Sequence, residues 1–516
     1  MRLGVAGCCP VSDARHIRRC SPLRSQAWQE GDTLVVETAG FKEGSWLDNS
    51  GHPHTDGLRT TERFHRLNFG HMEVDVTIND PKAYSRPWKS ATSHFTLMPD
   101  TELLEHLCEN NRDLPVLERY WQGQARKIQE QTPTRAQALD AQGAPLFRVD
   151  PLWPKRLPNR WSMQQATGLY VEDKTGHIWF LNRGAAADGD EIGGDGNPPR
   201  IDCCVRGPEV VELDEEGNVV HVWGGPGYVG VWPTALQTII ADREGNIWIG
   251  GTAPQDSILK FSRDGKLLWD FGHRPQKDSA SLKENNQQTD VLASKGRFNL
   301  DEDAREIYII NWKRVLVYDM DTGAFKRGWG GHGMALAEIS NDAIPPYKWT
   351  GAPPPEEKNF VPDLHFVEFD KDGLVYIGER GQDRISIYTK QGKWIKDYYV
   401  SPNTPSRGPD CGGLPPNTKM PPCGTTYKMV FSKDPQQKYM YVADGTNNKV
   451  WILDRATGKT LGSFGSNGTY AGQFHWINAI GTDRQGNIYT GEVEQAKRIQ
   501  KFVPVAAGQE LGTSTR

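Results

Sequence analysis

Between residues 161 and 505, apolar and polar positions alternate with a period of two, and the same order of segments recurs six times. Each round leads through an acidic turn into an apolar strand: GHIWFLN (176–182), GNIWIGG (245–251), EIYIINW (306–312), GLVYIGE (373–379), YMYVADG (439–445) and GNIYTGE (486–492). In five rounds a hairpin follows, as in VVELDEEGNVVHVWGG (210–225), ILKFSRDGKLLWDFG (258–272) and KVWILDRATGKTLGSFG (449–465). A period of two is the spacing of a strand with one buried face, and Gly at the turns supplies positive φ. A repeated unit of this kind cannot bury its apolar face alone, so neighbouring units must stack. The pattern predicts an all-β chain with a six-bladed β-propeller over residues 143–505.

The sixth round is one strand short: FHWINAIGTD, GNIYTGE and RIQKFVPV are followed by AAGQELGTSTR. The segment GAPLFRV (143–149), just before the first round, has the pattern of the missing strand. Pairing it with the last blade would close the ring and leave no long edge unpaired.

Upstream, residues 27–128 contain a second set of alternating runs, among them DTLVVETAG, LRTTERFHRL, MEVDVTI and ATSHFTLM. They predict a small antiparallel β domain, barrel-like in form and incomplete at its amino end. Residues 129–142 read as a polar linker and 506–516 as a tail. Residues 1–26 do not match the strand-rich text that follows and read as an unstructured or misassigned start. They hold no continuous apolar stretch of the kind a signal peptide needs.

Composition narrows the function classes. A net charge of −5 and a pI near 6.3 give no basic footprint for nucleic acid. No apolar run is long enough to span a membrane. The chain is expected to be a monomer whose partner is a small molecule or peptide. Among eight cysteines, Cys411 and Cys423 bracket a Pro/Gly loop and either close it as a disulfide or stay reduced. Cys203 and Cys204 are adjacent, a vicinal pair or two small loop residues. None has paired CxxC spacing. His52 and His54 in the first segment are a weak metal pair, more simply read as turn residues.

No GxSxG elbow, HExxH helix or P-loop is present. The DEEG, DREG and DKDG tetrads lack a complete calcium-loop spacing and read as hairpin turns. Chemistry is expected at the axis. Counting five positions back from each acidic turn gives Gln237, Gly296, His365, Tyr427 and Asn478, with Thr167 or Gly168 in the first blade. Gln237, His365 and Asn478 belong to alternate blades and are candidate metal ligands around a pseudo-threefold. His365, Tyr427 and Arg297 are the candidate catalytic residues. His475, Asp363 and Lys428 are candidate substrate-binding residues, with Arg297 and Lys428 suited to an anionic ligand. The bland alternative is a tunnel whose polar residues bind only water.

The blades resemble NHL-type repeats, on the pattern of GNIWIGG and its counterparts. Over the propeller segment the chain is similar to the peptidyl-α-hydroxyglycine α-amidating lyases, and within that resemblance to a bacterial group of lyase-related propellers with no assigned substrate, through its CC before PEVVELDEEGN, PNTP after blade four, and YVADGTNNKVWILDR. That resemblance implies a lyase-like site in which alternate-blade histidines bind catalytic zinc. Only His365 matches that set here, with Gln237 and Asn478 in the other two places. Amides are poor zinc ligands, so an oxygen-preferring ion such as calcium, or none, is expected. Residues 27–128 resemble a β-rich domain of bacterial secreted proteins, on GDTLVV, HPH, TERF, DPKAY and PDTEL. That resemblance implies a periplasmic or extracellular protein. The function that follows is a propeller with a ligand or metal site in its tunnel, lyase-related without being an intact amidating lyase. The alternatives are a non-catalytic binding or scaffold module using the loop face, and an active metal-dependent lyase or hydrolase.

Overall fold

The computed structural model describes residues 24–41, 54–68, 71–96, 137–184, 192–200, 204–225, 227–233, 235–252, 257–273, 289, 296–340, 342–345, 347–361, 364–407, 423–494 and 496–506. It divides into two compact units, Met1–His106 and Leu107–Arg516. No described helix is long and apolar enough to cross a membrane.

The first unit is an antiparallel meander. Arg24–Glu30, Thr33–Ala39, Arg59–Asn68, His71–Asn79 and Trp88–Lys89 pair in that order, and Ser93–Thr96 also pairs with His71–Asn79. Its first strand starts at Arg24, earlier than the expected boundary. Among the described residues the path is open rather than closed into a barrel. Val35 and Leu58 are buried, as are Val74 and Ile78 on the one face that the alternation in MEVDVTI predicts. The buried carboxylate of Asp80 accepts from Thr55 N (2.6 Å), Thr55 Oγ1 (2.8 Å) and Lys82 N (3.1 Å).

The second unit is an all-β propeller containing six four-stranded antiparallel sheets. Their first strands, nearest the axis, are Gln165–Val171, Leu236–Ala241, Phe298–Asp301, Leu364–Phe369, Lys428–Phe431 and Ile477–Thr482. The last sheet runs Ile477–Thr482, Ile488–Glu492, Ile499–Pro504 and then Phe147–Asp150, with Phe147 opposite Pro504 and Asp150 opposite Lys501. The ring is thus closed by an early segment. The expected linker contributes too: Gln137 bridges Ala506, and Ala138 N donates to Val505 O (2.7 Å).

The acidic turns have a shared structural task. Asp242 accepts from Asn246 N (2.8 Å) at its own hairpin and from the Trp248 indole (2.9 Å) on the next strand. Asp370 takes the Tyr376 hydroxyl (3.1 Å) and Asp483 the Tyr489 hydroxyl (2.8 Å) in the same way. The aromatic of each GN-I-[WY] strand can therefore be buried with its polar tip satisfied. These tetrads are turns. The core lies between sheets, where Trp248 and Ile240 pack with Phe298 and Ile307, and Tyr308 and Val317 with Val367 and Val375.

Candidate functional site

The first strands of the first, second, fourth and sixth sheets carry one extra residue near their start, which in the first sheet falls between Ala166 and Leu169. The ladder slips between Leu236 and Thr238, between Leu364 and Phe366, and between Ile477 and Ala479. In the second, fourth and sixth sheets the extra residues are Gln237, His365 and Asn478. A bulge re-aims a side chain that regular pleating would send into the sheet–sheet core. The partner strands make room with glycine: a Cβ on Gly378 would lie 2.1 Å from the Phe366 ring. All three residues line one cavity of about 220 Å³, together with Thr167, Arg297, Tyr427 and Lys428.

His365 is buried, and both its ring nitrogens are engaged. Nδ1–H donates to Tyr427 O (3.2 Å), which leaves Nε2 to accept from the Arg297 guanidinium (3.1 Å). Arg297 also donates to Leu364 O (2.6 Å). A guanidinium has no acceptor, so the Nε2 lone pair is directed at a cation. Asn478 Nδ2 donates to Thr167 O (2.8 Å) across the boundary between the sixth and first sheets. One engaged imidazole and two amides do not fit a zinc centre, which needs imidazole, thiolate or carboxylate donors.

Tyr427 holds the site through its backbone. Its ring is buried, packs edge-on against His365 (5.0 Å) and lies under the Arg380 guanidinium (5.1 Å). Its hydroxyl reaches Thr446 Oγ1 (3.4 Å), which itself donates to Gly424 O. Tyr427, expected among the catalytic residues, meets His365 Nδ1–H with its backbone carbonyl. Lys428, expected as a cation for substrate, pairs with Glu368 (2.6 Å), whose other oxygen takes Asn299 Nδ2 (3.1 Å). His475 is not among the residues lining the cavity. Its backbone N–H donates to Glu492 (2.7 Å), its ring Nε2 is buried without a hydrogen bond among the described residues, and burial lowers its pKa. Asp363 and His52 lie outside the described residues. His54 donates to its neighbour's carbonyl, Thr55 O (3.2 Å). Cys204 and Cys423 are both disulfide-bonded, while Cys203 and Cys411 lie outside the described residues.

Glu368 was missed from the sequence. A period of two from His365 points to Val367, but the bulge shifts the parity, and Glu368 lines the cavity instead. The signal was available in the glycine of the facing strand, Gly378.

Two buried carboxyls connect the fourth and fifth sheets. Asp383, with φ 53°, accepts from Thr425 N (2.9 Å). Burial first, then the charge of Asp444, pushes it up to about 8. Asp444 is pushed up to about 6 by burial, against bonds from the Trp451 indole (2.8 Å) and Asn447 N (2.9 Å). A carboxyl whose pKa rises on folding stabilises the fold when protonated, and that stability is lost as pH climbs toward 8. Asp383→Asn keeps the acceptor for Thr425. It should raise the thermal midpoint at pH 8 by roughly 2 °C or more, a gain that fades toward pH 4. Equal midpoints for variant and wild type at pH 8 and 9 would contradict it.

No protein-family model and no curated protein matches the chain. Solved structures with a similar backbone include a streptogramin B lyase at 12% identity and TM-score 0.36, covering 67% of this chain and 95% of that one. A catalytically inactive variant of virginiamycin B lyase from Staphylococcus aureus with quinupristin matches at 11% identity and TM-score 0.36, covering 69% and 89%. A protein of unknown function from Bacteroides caccae matches at 10% identity and TM-score 0.33, covering 55% and 77%. Likeness at this level bears on no residue of the site.

Proposed function

We propose that the propeller, read as a six-bladed ring, binds a small anionic molecule in its central cavity without a resident metal ion. The observation that carries this reading is the charge of the lining: Arg297, Lys428 and Lys433 line the cavity, where Lys428 pairs with the one lining carboxylate, Glu368, and Lys433 with Asp173 beside it. A carboxylate is an anion that a guanidinium fork recognises with two parallel hydrogen bonds. Gln237 and Asn478 supply neutral amide groups that orient rather than charge the ligand. An added zinc or calcium ion would meet this cation-rich lining with Glu368 already held by Lys428.

A thermal-shift series using small peptides with free carboxylate and with carboxamide ends tests this. Carboxylates should stabilise the protein and matched carboxamides should not. Arg297→Gln should remove the difference. Equal shifts for both members of each pair would remove the basis of the reading.

A second reading, metal-independent lyase-type chemistry, is favoured by the Arg297–His365 pair. A ligand carboxylate that drew Arg297 away would release Nε2 of His365 as a general base for proton abstraction. His365→Gln would then abolish turnover and leave ligand binding within about threefold, as a purely chemical role requires. A parallel loss of binding would assign His365 to ligand recognition.

A further inference from the structure

A second cluster of chemistry-bearing side chains lies away from the tunnel, at the outer strands of the third and fourth sheets. His332 sits in the turn Gly331–Gly333, directly after the outer strand Phe325–Gly330. Asp397 is on the outer strand Trp394–Tyr399 of the next sheet. Glu356 comes from the long insertion between those sheets. One ligand atom from each of the three lies within 4.8 Å of the others.

We propose that His332, Glu356 and Asp397 bind a divalent transition-metal ion, zinc foremost. Three features support it. The first is preorganisation. His332 Nε2 and Asp397 Oδ2 are 3.0 Å apart, close to the roughly 3.3 Å between neighbouring ligand atoms of a tetrahedral zinc. The His332 ring stacks on Trp394 (4.4 Å), and the His332 backbone N–H donates to the Tyr388 hydroxyl (3.1 Å). The turn is wedged so tightly that a Cβ on Gly331 would lie 2.1 Å from Lys358 O. The second is outer support. The Trp394 indole donates to Asp397 Oδ1 (3.0 Å), which leaves Oδ2 toward His332, the arrangement that orients a ligating carboxylate.

The third is charge. Arg384 is the nearby cation, with NH1 3.4 Å from His332 Nε2 and 3.5 Å from Asp397 Oδ2. It is fully buried, ion-paired at 2.6 Å with the fully buried Glu379, and donates to Glu357 O (2.8 Å). Once Glu379 offsets Arg384, Asp397 and Glu356 remain as two negative charges beside a neutral imidazole. A dication balances them, whereas one imidazolium leaves a charge over. Glu356 is exposed, so the ion enters from solvent, and water fills its remaining position.

Chelator-treated full-length protein, desalted and titrated with zinc and separately with cobalt, tests the site. One equivalent of zinc per chain should survive desalting, and cobalt should give the visible d–d bands of a four-coordinate nitrogen/oxygen site. His332→Gln should abolish retention. Glu356→Gln, at an exposed position that leaves folding intact, should weaken binding by about tenfold or more. His365→Gln, in the tunnel, should bind zinc as wild type does, which separates this result from any outcome at the cavity. Three results would each overturn the proposal: no retained ion in wild type, unchanged binding in both rim variants, or loss of binding in His365→Gln.

Discussion

Arg384→Met should lower folding stability by about 3–5 kcal/mol, the cost of breaking a buried ion pair from one side. Arg384 and Glu379 have no exposed side-chain surface and lie 2.6 Å apart, with Val361 N donating to Glu379 (2.5 Å). Burial first, then the charge of Asp397, raises the Glu379 pKa, and Arg384 is the largest opposing influence. Without the guanidinium, Glu379 must take up a proton or remain as an uncompensated charge, and Asp397 loses a neighbour at 3.5 Å. Urea denaturation of the single variant and of Glu379→Gln/Arg384→Met separates the two costs. The double variant should recover a large part of the loss. If it is no more stable than Arg384→Met, the lost energy came from packing of the arginine stem rather than from the orphaned carboxylate.

Phe147→Ala should have an effect of similar size, about 3–5 kcal/mol. Phe147 is 6% exposed and packs against Tyr441 (5.5 Å) and Phe464 (5.2 Å) of the fifth sheet while its strand completes the sixth. Shortening it both opens a cavity and loosens the closing strand. Thermal unfolding should begin earlier, and limited proteolysis should cut first in 137–150 and 499–506. Cleavage spread evenly over all six sheets would argue that closure is not the weak point.

The ring was legible because its signals are local. Alternation, Gly turns and the Asp-to-aromatic bond of GNIWIGG each act within one hairpin, and the missing last strand was visible as a shortfall in RIQKFVPV. The tunnel positions were legible from phase: Gln237, His365 and Asn478 do line one cavity. Their partners were not. That His365 would turn Nε2 to Arg297, or that Tyr427 would contribute its carbonyl, depends on neighbouring sheets whose relative placement no single repeat encodes. Glu368 was lost to a bulge, because one inserted residue inverts the parity on which period-two reading depends. The His332–Asp397 pair joins residues of different sheets through an insertion with no repeat pattern, and no spacing rule leads to it.

The pairing of Phe147–Asp150 with Ile499–Pro504 also sets a schedule. A ribosome working at about 5–20 residues per second makes the first of these segments long before the second, by an interval on the order of tens of seconds. Throughout that time the early strand has no partner, and each finished sheet presents an open flank. Nascent chains on neighbouring ribosomes would offer one another the same complementary ends. The hazard peculiar to this design is therefore exchange between chains during synthesis, in which one molecule's early strand completes another's last sheet.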